Sequence, residues 1–333
     1  MSFLNRVTAL QDAPDLSVTT ISLTARDGRM LRTLWSKLFV GLRVVRQVLS
    51  SLPRADVVSV HANNPVMLAV LVGLCKLLRR PIVVRVFGGS LDTRYGRPVD
   101  RLLLRLVFRS DCVLLQTRYL VEFFEREFPG ANLRLFPTSR PFVRDPVRTT
   151  SRGGVPHPAK RFVFIGSVKP AKGILEILDA CNSLRADDDV RVDIYGPMGE
   201  GMEERLLHQS ERVAYRGVVA NTEVPSVLRD ADVLLLPTYY SGEGYPGIII
   251  EAFMAGLPVI TTTWRSIPEI VEDGVSGILV PPRDAGALAA AMQQLIDDPA
   301  RLAILREGAA KQQEYFGLQR WTDVFVDICR QLV

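Results

Sequence analysis

Two carboxylates, Glu243 and Glu251, stand eight positions apart in the stretch Glu243-Gly244-Tyr245-Pro246-Gly247-Ile248-Ile249-Ile250-Glu251-Ala252. The apolar run Val233 to Leu236 leads in, and Pro237, Ser241, Gly242 and Gly244 turn the chain. From Gly247 the residues read as a buried helix that stops at Gly256-Leu257-Pro258, before a further strand, Val259 to Thr262. Glu243 thus falls just before a helix N-terminus and Glu251 about one turn inside it. Unpaired N–H groups at a helix start favour a phosphate. A carboxylate in the first turns can accept hydrogen bonds from ribose hydroxyls, and one in the preceding loop can reach a sugar ring. Pro246 has no N–H, so the amides left to face a phosphate are those of Gly244, Tyr245 and Gly247. A nucleotide sugar presents phosphate, ribose and sugar in that order.

Moving a glycosyl group off a nucleoside diphosphate requires the growing charge on the leaving group to be stabilised. Lys169 and Lys172, which follow the strand-like Phe162 to Ile165 around a glycine turn, offer two ammonium groups. The positive end of the helix at Gly247 adds to them, and together they could replace a divalent metal. The plainer reading of both lysines is a solvated turn, and that of Glu251 an exposed helix residue. Ile249, Ile250, Ala252 and Phe253 around Glu251 argue against the latter, because a carboxylate among apolar neighbours needs a partner.

These residues carry a resemblance to a family. The stretch resembles the donor site of the family 4 retaining glycosyltransferases, whose signature is Glu, seven residues, Glu, a small-residue helix end and a Pro-Val strand. Phe164-Ile165-Gly166-Ser167-Val168-Lys169-Pro170-Ala171-Lys172-Gly173 is similar to the family's Gly-Arg…Lys-Gly loop. Ile267-Pro268-Glu269-Ile270-Val271, with Asp273-Gly274 and Gly277, is similar to the segment downstream of the signature. The likeness is close from Arg161 to about Pro299 and loose over the first half.

The resemblance implies an α/β protein of the GT-B fold, two Rossmann-like domains facing each other across a cleft. It implies a retaining hexosyl-type transferase of bacterial surface-polysaccharide assembly. The donor would be a nucleoside-diphosphate sugar and the acceptor lipid-linked or a glycan, with no metal and no cofactor besides the donor. Glu243 and Lys172 would be catalytic. Gly166, Lys169, Lys172, Gly244, Tyr245, Gly247 and Glu251 would hold the donor, with Glu243 on the sugar and Glu251 on the ribose. One departure concerns Ser167, which stands where the family usually has Arg. Lys169 would then substitute without the bidentate contact that Arg makes. Two alternatives stay open: a phosphorylase or epimerase of the same fold, and a donor-binding relative that has lost catalysis.

A length of 333 residues suggests two domains. The expected division is 1–150, an acceptor-side Rossmann-like domain, and 151–333, the nucleotide-sugar-binding domain, with the last helix packing back on the first. Apolar strands alternate with helices throughout, as in a parallel sheet covered on both faces. Strands are expected at Val18–Leu23, Val57–Val60, Ile82–Val86, Cys112–Gln116 and Leu133–Phe136, with helices near 29–50, 65–78, 98–109 and 119–128. In the second half, strands at Phe162–Ile165, Arg191–Tyr195, Val213–Arg216, Val233–Leu236, Val259–Thr262 and Gly277–Val280 alternate with helices that include Met202–Gln209 and Pro268–Glu272. Ser2 to Leu10 resembles the family's first helix, so the first strand and its glycine-rich loop are expected to be missing. A late start codon or a real loss would each account for that.

The apolar run Val66 to Cys75 is about half the ~20 residues a bilayer span requires, and Pro65 suits the first position of a helix. The four cysteines and three histidines are scattered, with no metal or redox spacing, which fits a reducing cytoplasm. Charge is uneven: residues 1–150 hold 23 Lys+Arg against 11 Asp+Glu, a balance of +12 within a chain of net +5. With no nucleic-acid motif, the acidic partner expected for that half is an anionic membrane surface or a lipid diphosphate. Arg29, Arg32, Arg43 and Arg46, and then Arg97, Arg101, Arg105 and Arg109, form helical stripes. An Arg stripe is usually a solvated face; two in one basic half favour peripheral contact with the inner face of the cytoplasmic membrane.

Arg85, Gly88 and Gly89 end a strand, and Arg140 stands where many relatives have Asn-Gly. These four are the acceptor-side candidates; Arg85 either faces the cleft or pairs with an acidic neighbour. Relatives often have a histidine near Phe87, and the sequence has none there, so no catalytic histidine is assigned. Asp187-Asp188-Asp189 mimics a metal motif of another glycosyltransferase fold. It precedes its strand, the wrong edge for a ligand. Gly196 to Gly201 does not match the dinucleotide pattern and is expected to shape the nucleoside pocket.

Overall fold

The computed structural model describes residues 46, 47, 50–89, 91–141 and 157–333. Among them, β1 (Val58–His61), β2 (Ile82–Arg85), β3 (Cys112–Leu115) and β4 (Leu133–Leu135) form a parallel sheet in chain order. Its helices are α1 (Pro65–Leu77), α2 (Leu91–Tyr95), α3 (Pro98–Val107) and α4 (Arg118–Glu127). A second parallel sheet is built from β5 (Arg161–Ile165), β6 (Arg191–Tyr195), β7 (Val213–Tyr215), β8 (Val233–Leu236), β9 (Val259–Thr262) and β10 (Gly277–Val280), in the order β10-β9-β8-β5-β6-β7. Its helices are α5 (Ile174–Ser183), α6 (Glu204–Leu207), α7 (Val224–Asp230), α8 (Gly247–Met254) and α9 (Ala285–Asp297). The chain ends in α10 (Pro299–Phe316) and α11 (Leu318–Arg330). The architecture is the expected α/β one of two parallel sheets.

The first sheet adds each strand on the same side of the last. Right-handed crossovers then put α1, α3 and α4 on one face. The two-residue period of the strands divides the side chains accordingly. Val84, Val113 and Leu115 join Leu68, Leu104, Leu120 and Phe124 under these helices. Val83, Cys112 and Leu114 point the other way, where Phe136, Trp321, Phe325, Val326 and Ile328 cover them. So α11 returns from the far end of the chain to close the open face, which is why Ile82-Val83-Val84 and Cys112-Val113-Leu114-Leu115 are apolar without alternation. Each aliphatic side chain buried this way contributes about 1.5–3 kcal/mol.

Local chemistry sets the ends. Asn64 accepts from Val66 N at 3.0 Å and Met67 N at 3.3 Å ahead of Pro65, an N-cap followed by a first-position proline. Thr117 Oγ1 accepts from Leu120 N at 3.1 Å and starts α4. The helix expected at Met202–Gln209 is a single turn, Glu204–Leu207, and that at Pro268–Glu272 is a 3-10 turn, Ile267–Glu269. The short helix α2 has no counterpart in the sequence reading. The expected strand at Val18–Leu23, the missing first strand and loop, and all of the 29–50 helix but residues 46, 47 and 50 lie outside the described residues.

The two sheets are joined through specific contacts. Arg140 N donates to Phe316 O at 3.0 Å, and Leu318 N to Arg140 O at 2.7 Å. Glu269 reaches out of the second sheet's loops to accept from Arg118 N at 2.6 Å and Tyr119 N at 2.9 Å. It thereby satisfies the first amides of α4 with a carboxylate, as a helix N-terminus favours. Arg265, at φ +50°, donates through Nη2 to Gly89 O and to the Asp92 carboxylate, each at 2.7 Å. Gly89 itself lies against the loop that carries Glu243: a Cβ there would stand 1.8 Å from Glu243 O.

These contacts generate a test. Glu269→Ala removes a helix cap worth about 0.5–2 kcal/mol, and Gly89→Ala is incompatible with the observed approach. Both variants should keep the circular dichroism of the wild type while small-angle scattering shows a larger radius of gyration. An unchanged radius in both would mean that these contacts do not hold the halves together.

Candidate functional site

The strand order of the second sheet reverses between β5 and β8, which are neighbours although two strands and three helices separate them in sequence. At such a switch point the loops leaving the carboxyl ends of the two strands part in opposite directions and leave a crevice. The loop after β5 carries Lys169 and Lys172; the loop after β8 carries Glu243.

The first loop runs through Gly166, whose N–H bonds Tyr195 O at 3.0 Å, to a 3-10 turn over Pro170–Lys172. Gly173 ends the turn at φ +81°, and a Cβ there would meet Pro237 O at 2.2 Å. Only glycine supplies both the left-handed backbone and the space, which is the physical content of the Lys-Gly pair in the sequence. The contact presses the loop against the end of β8, and Tyr239 N fastens it to Ala171 O at 2.9 Å.

Held there, Lys172 Nζ donates to Glu243 Oε2. Glu243 is buried, and Thr238 Oγ1 lies 3.0 Å from the same carboxylate oxygen. Lys169 Nζ stands 3.5 Å above the centre of the Tyr240 ring, and Lys172 Nζ 5.3 Å from it, a cation–π arrangement. Trp264 Nε1 secures Tyr240 through its carbonyl at 2.9 Å. The Gly196–Gly201 loop runs alongside, with Gly199 N on Val168 O at 2.8 Å. Beside the Lys169–Lys172 loop, burial raises the carboxyl of Glu176 and the phenol of Tyr239 above their ordinary ranges.

The helix α8 starts at Gly247 with Pro246 as its cap residue and no side chain bonding its first amides. Glu251, one turn in, meets Arg140 from the other half of the chain: Arg140 Nε donates to Glu251 Oε1 at 2.7 Å. The guanidinium also leans over the helix start, since a Cβ on Gly247 would fall 2.3 Å from Arg140 Nη2. Tyr245 is buried with its hydroxyl donating to Glu269 Oε2 at 2.7 Å. Burial, with the Glu269 carboxylate, pushes its phenol far above the ordinary value. Gly244 packs against Gly89 N and Gln116 Oε1, and Gln116 in turn accepts from Gly88 N at 3.2 Å.

The structure therefore brings Lys169, Lys172, Glu243, Gly244, Gly247 and Glu251 of the second half together with Gly88, Gly89 and Arg140 of the first. Arg85 sits in a different environment. It is 4% exposed, its guanidinium stands 4.7 Å from the rings of both Phe87 and Phe136, and Nη2 donates to Pro137 O at 3.1 Å. Among the described residues it makes no ion pair with a carboxylate. A histidine does stand beside Phe87 in space: His61 of β1, ring centres 6.2 Å apart, with Nε2 2.8 Å from Ser59 Oγ. Asp188 and Asp189 pair with Arg185 and Lys160 ahead of β6, away from the switch point. Thr238, Tyr240, Trp264 and Arg265 were not singled out in the sequence; the signal available was their position at the carboxyl ends of β8 and β9.

Residues 159–298 match the family model "Glycosyl transferases group 1". A D-inositol 3-phosphate glycosyltransferase of Catenulispora acidiphila is 30% identical over 248 residues, which are 70% of this chain and 58% of that protein. The putative colanic acid biosynthesis glycosyltransferase WcaL of Salmonella typhimurium is 34% identical over 170 residues, 47% of this chain and 41% of that protein. The chain spans about half the length of the curated relatives it matches. Among solved structures, HepE of Anabaena in complex with UDP superposes with a TM-score of 0.71 at 18% identity, covering 87% of this chain and 82% of that one. Sucrose-phosphate synthase from Thermosynechococcus elongatus gives 0.68 at 18% identity, over 93% and 80%. The chain thus carries a glycosyl transferases group 1 domain, with the switch-point crevice inside it, on the two-sheet fold of the GT-B glycosyltransferases.

Proposed function

We propose that the protein transfers a sugar from a nucleoside-diphosphate sugar, held by the second sheet's loops, to a lipid-linked or glycan acceptor on the side of the first sheet. The observation that carries this reading is the buried Lys172–Glu243 pair at the switch point, one loop away from the uncapped start of α8. In this reading the diphosphate lies between the lysines and the α8 amides. Glu251 accepts from the ribose hydroxyls, and Glu243 from the hydroxyls of the transferred sugar. Lys169, Lys172 and the helix terminus stabilise the charge that grows on the leaving diphosphate, the role a divalent metal takes elsewhere. The acceptor enters from Gly88 and Gly89, with Arg140 at the junction.

We further propose retention of anomeric configuration. The acceptor would then attack from the face the diphosphate leaves, with a diphosphate oxygen taking its proton; Glu243, held by Lys172 and Thr238, is an anchor for the sugar in this scheme. The protein would work in the cytoplasm, peripherally on the membrane. Solved neighbours support the choice of first ligand to try: HepE of Anabaena has been crystallised with UDP-glucose and with UDP.

Two outcomes test the assignment. Glu251→Ala should weaken UDP binding by about 1–3 kcal/mol, the range for losing hydrogen bonds to a charged group, in calorimetry without added metal. Unchanged affinity would remove Glu251 from the ribose, and binding only with Mg²⁺ would overturn the metal-free reading. Glu243→Gln should leave UDP affinity in place while transfer falls on the order of a hundredfold, as for removal of one transition-state contact. Parallel losses of UDP and donor-sugar affinity would move Glu243 off the sugar. The anomer of the product, read by NMR, decides retention.

A further inference from the structure

Half of the strongly exposed large hydrophobics among the described residues, seven of fourteen, lie on or at the end of just two helices, α1 and α3. The other seven are single residues on separate elements. Single exposed aliphatics are ordinary on any protein surface, whereas a contiguous patch marks a contact. On α1 the positions are Val66, Val70 and Leu77. With Gly73 they fall at i, i+4, i+7 and i+11, one stripe of a helix. On α3 they are Val99, Leu102 and Leu106, at i, i+3 and i+7. Their exposures run from 41% for Leu106 to 79% for Leu77. The two helices pack against each other on the same face of the first sheet, so the stripes share the outward side.

The inner faces of both helices are fully used. Leu68, Leu71, Val72 and Cys75 of α1 and Leu104 and Val107 of α3 are buried. The outer stripes are therefore additional to what the core needs. Beside them run Arg101, Arg105 and Arg109, all exposed, with Arg79 exposed just past the end of α1. A surface that pairs aliphatic stripes with arginines, and offers no aromatic platform among the described residues, suits lipid tails below anionic headgroups. It lacks the ring faces on which bases stack. Its place in the fold fits as well: α1 begins directly after the carboxyl end of β1. The patch thus starts on the crevice side of the first sheet and runs away from it.

We propose that the α1–α3 face is a membrane-docking surface for an anionic bilayer, which seats the crevice next to acceptors held in that bilayer. This deepens the membrane placement proposed above and rests on it, but its test is independent of donor chemistry. The whole chain would be floated with vesicles of phosphatidylcholine alone and with phosphatidylglycerol added. Binding is expected only with phosphatidylglycerol, and it should fall at least roughly tenfold in high salt as the headgroup attraction is screened. Val99→Asp with Leu102→Asp should abolish flotation, and Arg105→Ala with Arg109→Ala should weaken it. UDP calorimetry on each variant reports that the second half is folded and the donor site intact, and circular dichroism of the whole chain reports whether its helix content is kept.

Three results would overturn the proposal: equal flotation of the wild type and the aspartate variants, equal binding to both vesicle types, or a wild-type dimer that those aspartates dissociate. The last would make the face a contact between two copies of the chain. Loss of flotation with intact UDP binding separates this surface from the donor reading. Normal flotation without UDP binding would sink the donor reading and leave the surface standing.

Discussion

The buried pair Lys172–Glu243 is the interaction on which the arrangement turns. Removing a carboxylate and an ammonium from water is costly unless each finds its partner, so the loops after β5 and β8 must meet in one register. Three features enforce this: the strand order that makes β5 and β8 neighbours, the Gly173 contact with Pro237, and the Thr238 hydroxyl beside the same carboxylate oxygen. None of the three is itself charged chemistry. The first two fix backbone, the third orients the carboxylate, and the ion pair follows from them. That order of causes is what a site for a charged, polar ligand needs, because groups already oriented do not have to reorganise when charge develops.

The pair also ties the second sheet to the first. Gly89 rests on the carbonyl of Glu243, Arg265 donates to Gly89 O and to Asp92, and Tyr245 and the first amides of α4 share Glu269. The loop that carries Glu243 therefore cannot shift without disturbing contacts made by the first sheet. A residue such as Glu269 has a double function: its carboxylate satisfies amides that α4 could not satisfy itself, and it anchors the phenol next to the candidate donor loop. The crevice is thus shaped by both halves, even though its charged groups belong mostly to one.

Much of this was legible in the sequence, for a physical reason. Apolar strands without alternation announce a sheet covered on both faces, and Lys172-Gly173, Glu243 and Glu251 sit at positions where only certain residues fit the backbone or the chemistry. The contacts that join distant segments were not legible. Nothing in the local pattern around Arg140 says that its guanidinium meets Glu251, 111 positions away. Arg85 reads from its strand-end position as a cleft residue, yet Phe87 and Phe136 enclose it, because a guanidinium can be buried against aromatic faces. His61 comes beside Phe87 through strand pairing of β1 with β2, a relation that spacing along one segment does not encode.

The Arg140–Glu251 pair shows how a site can be internally satisfied and still accept a ligand. A lone carboxylate on α8 would be poorly placed among Ile249, Ile250, Ala252 and Phe253, and a lone guanidinium over the start of a helix would face like-signed partial charge. Paired, each relieves the other. The bond uses Arg140 Nε and Glu251 Oε1, while an ionised carboxylate offers about four acceptor positions. Hydroxyl donors can therefore reach Glu251 with Arg140 still in place. An anion arriving at the α8 amides would then find the guanidinium already beside Gly247. In the donor reading proposed above, the side chain that balances Glu251 would also add positive charge beside the diphosphate, and it would do so from the first half of the chain, so that donor binding and the docking of the two sheets would draw on one side chain.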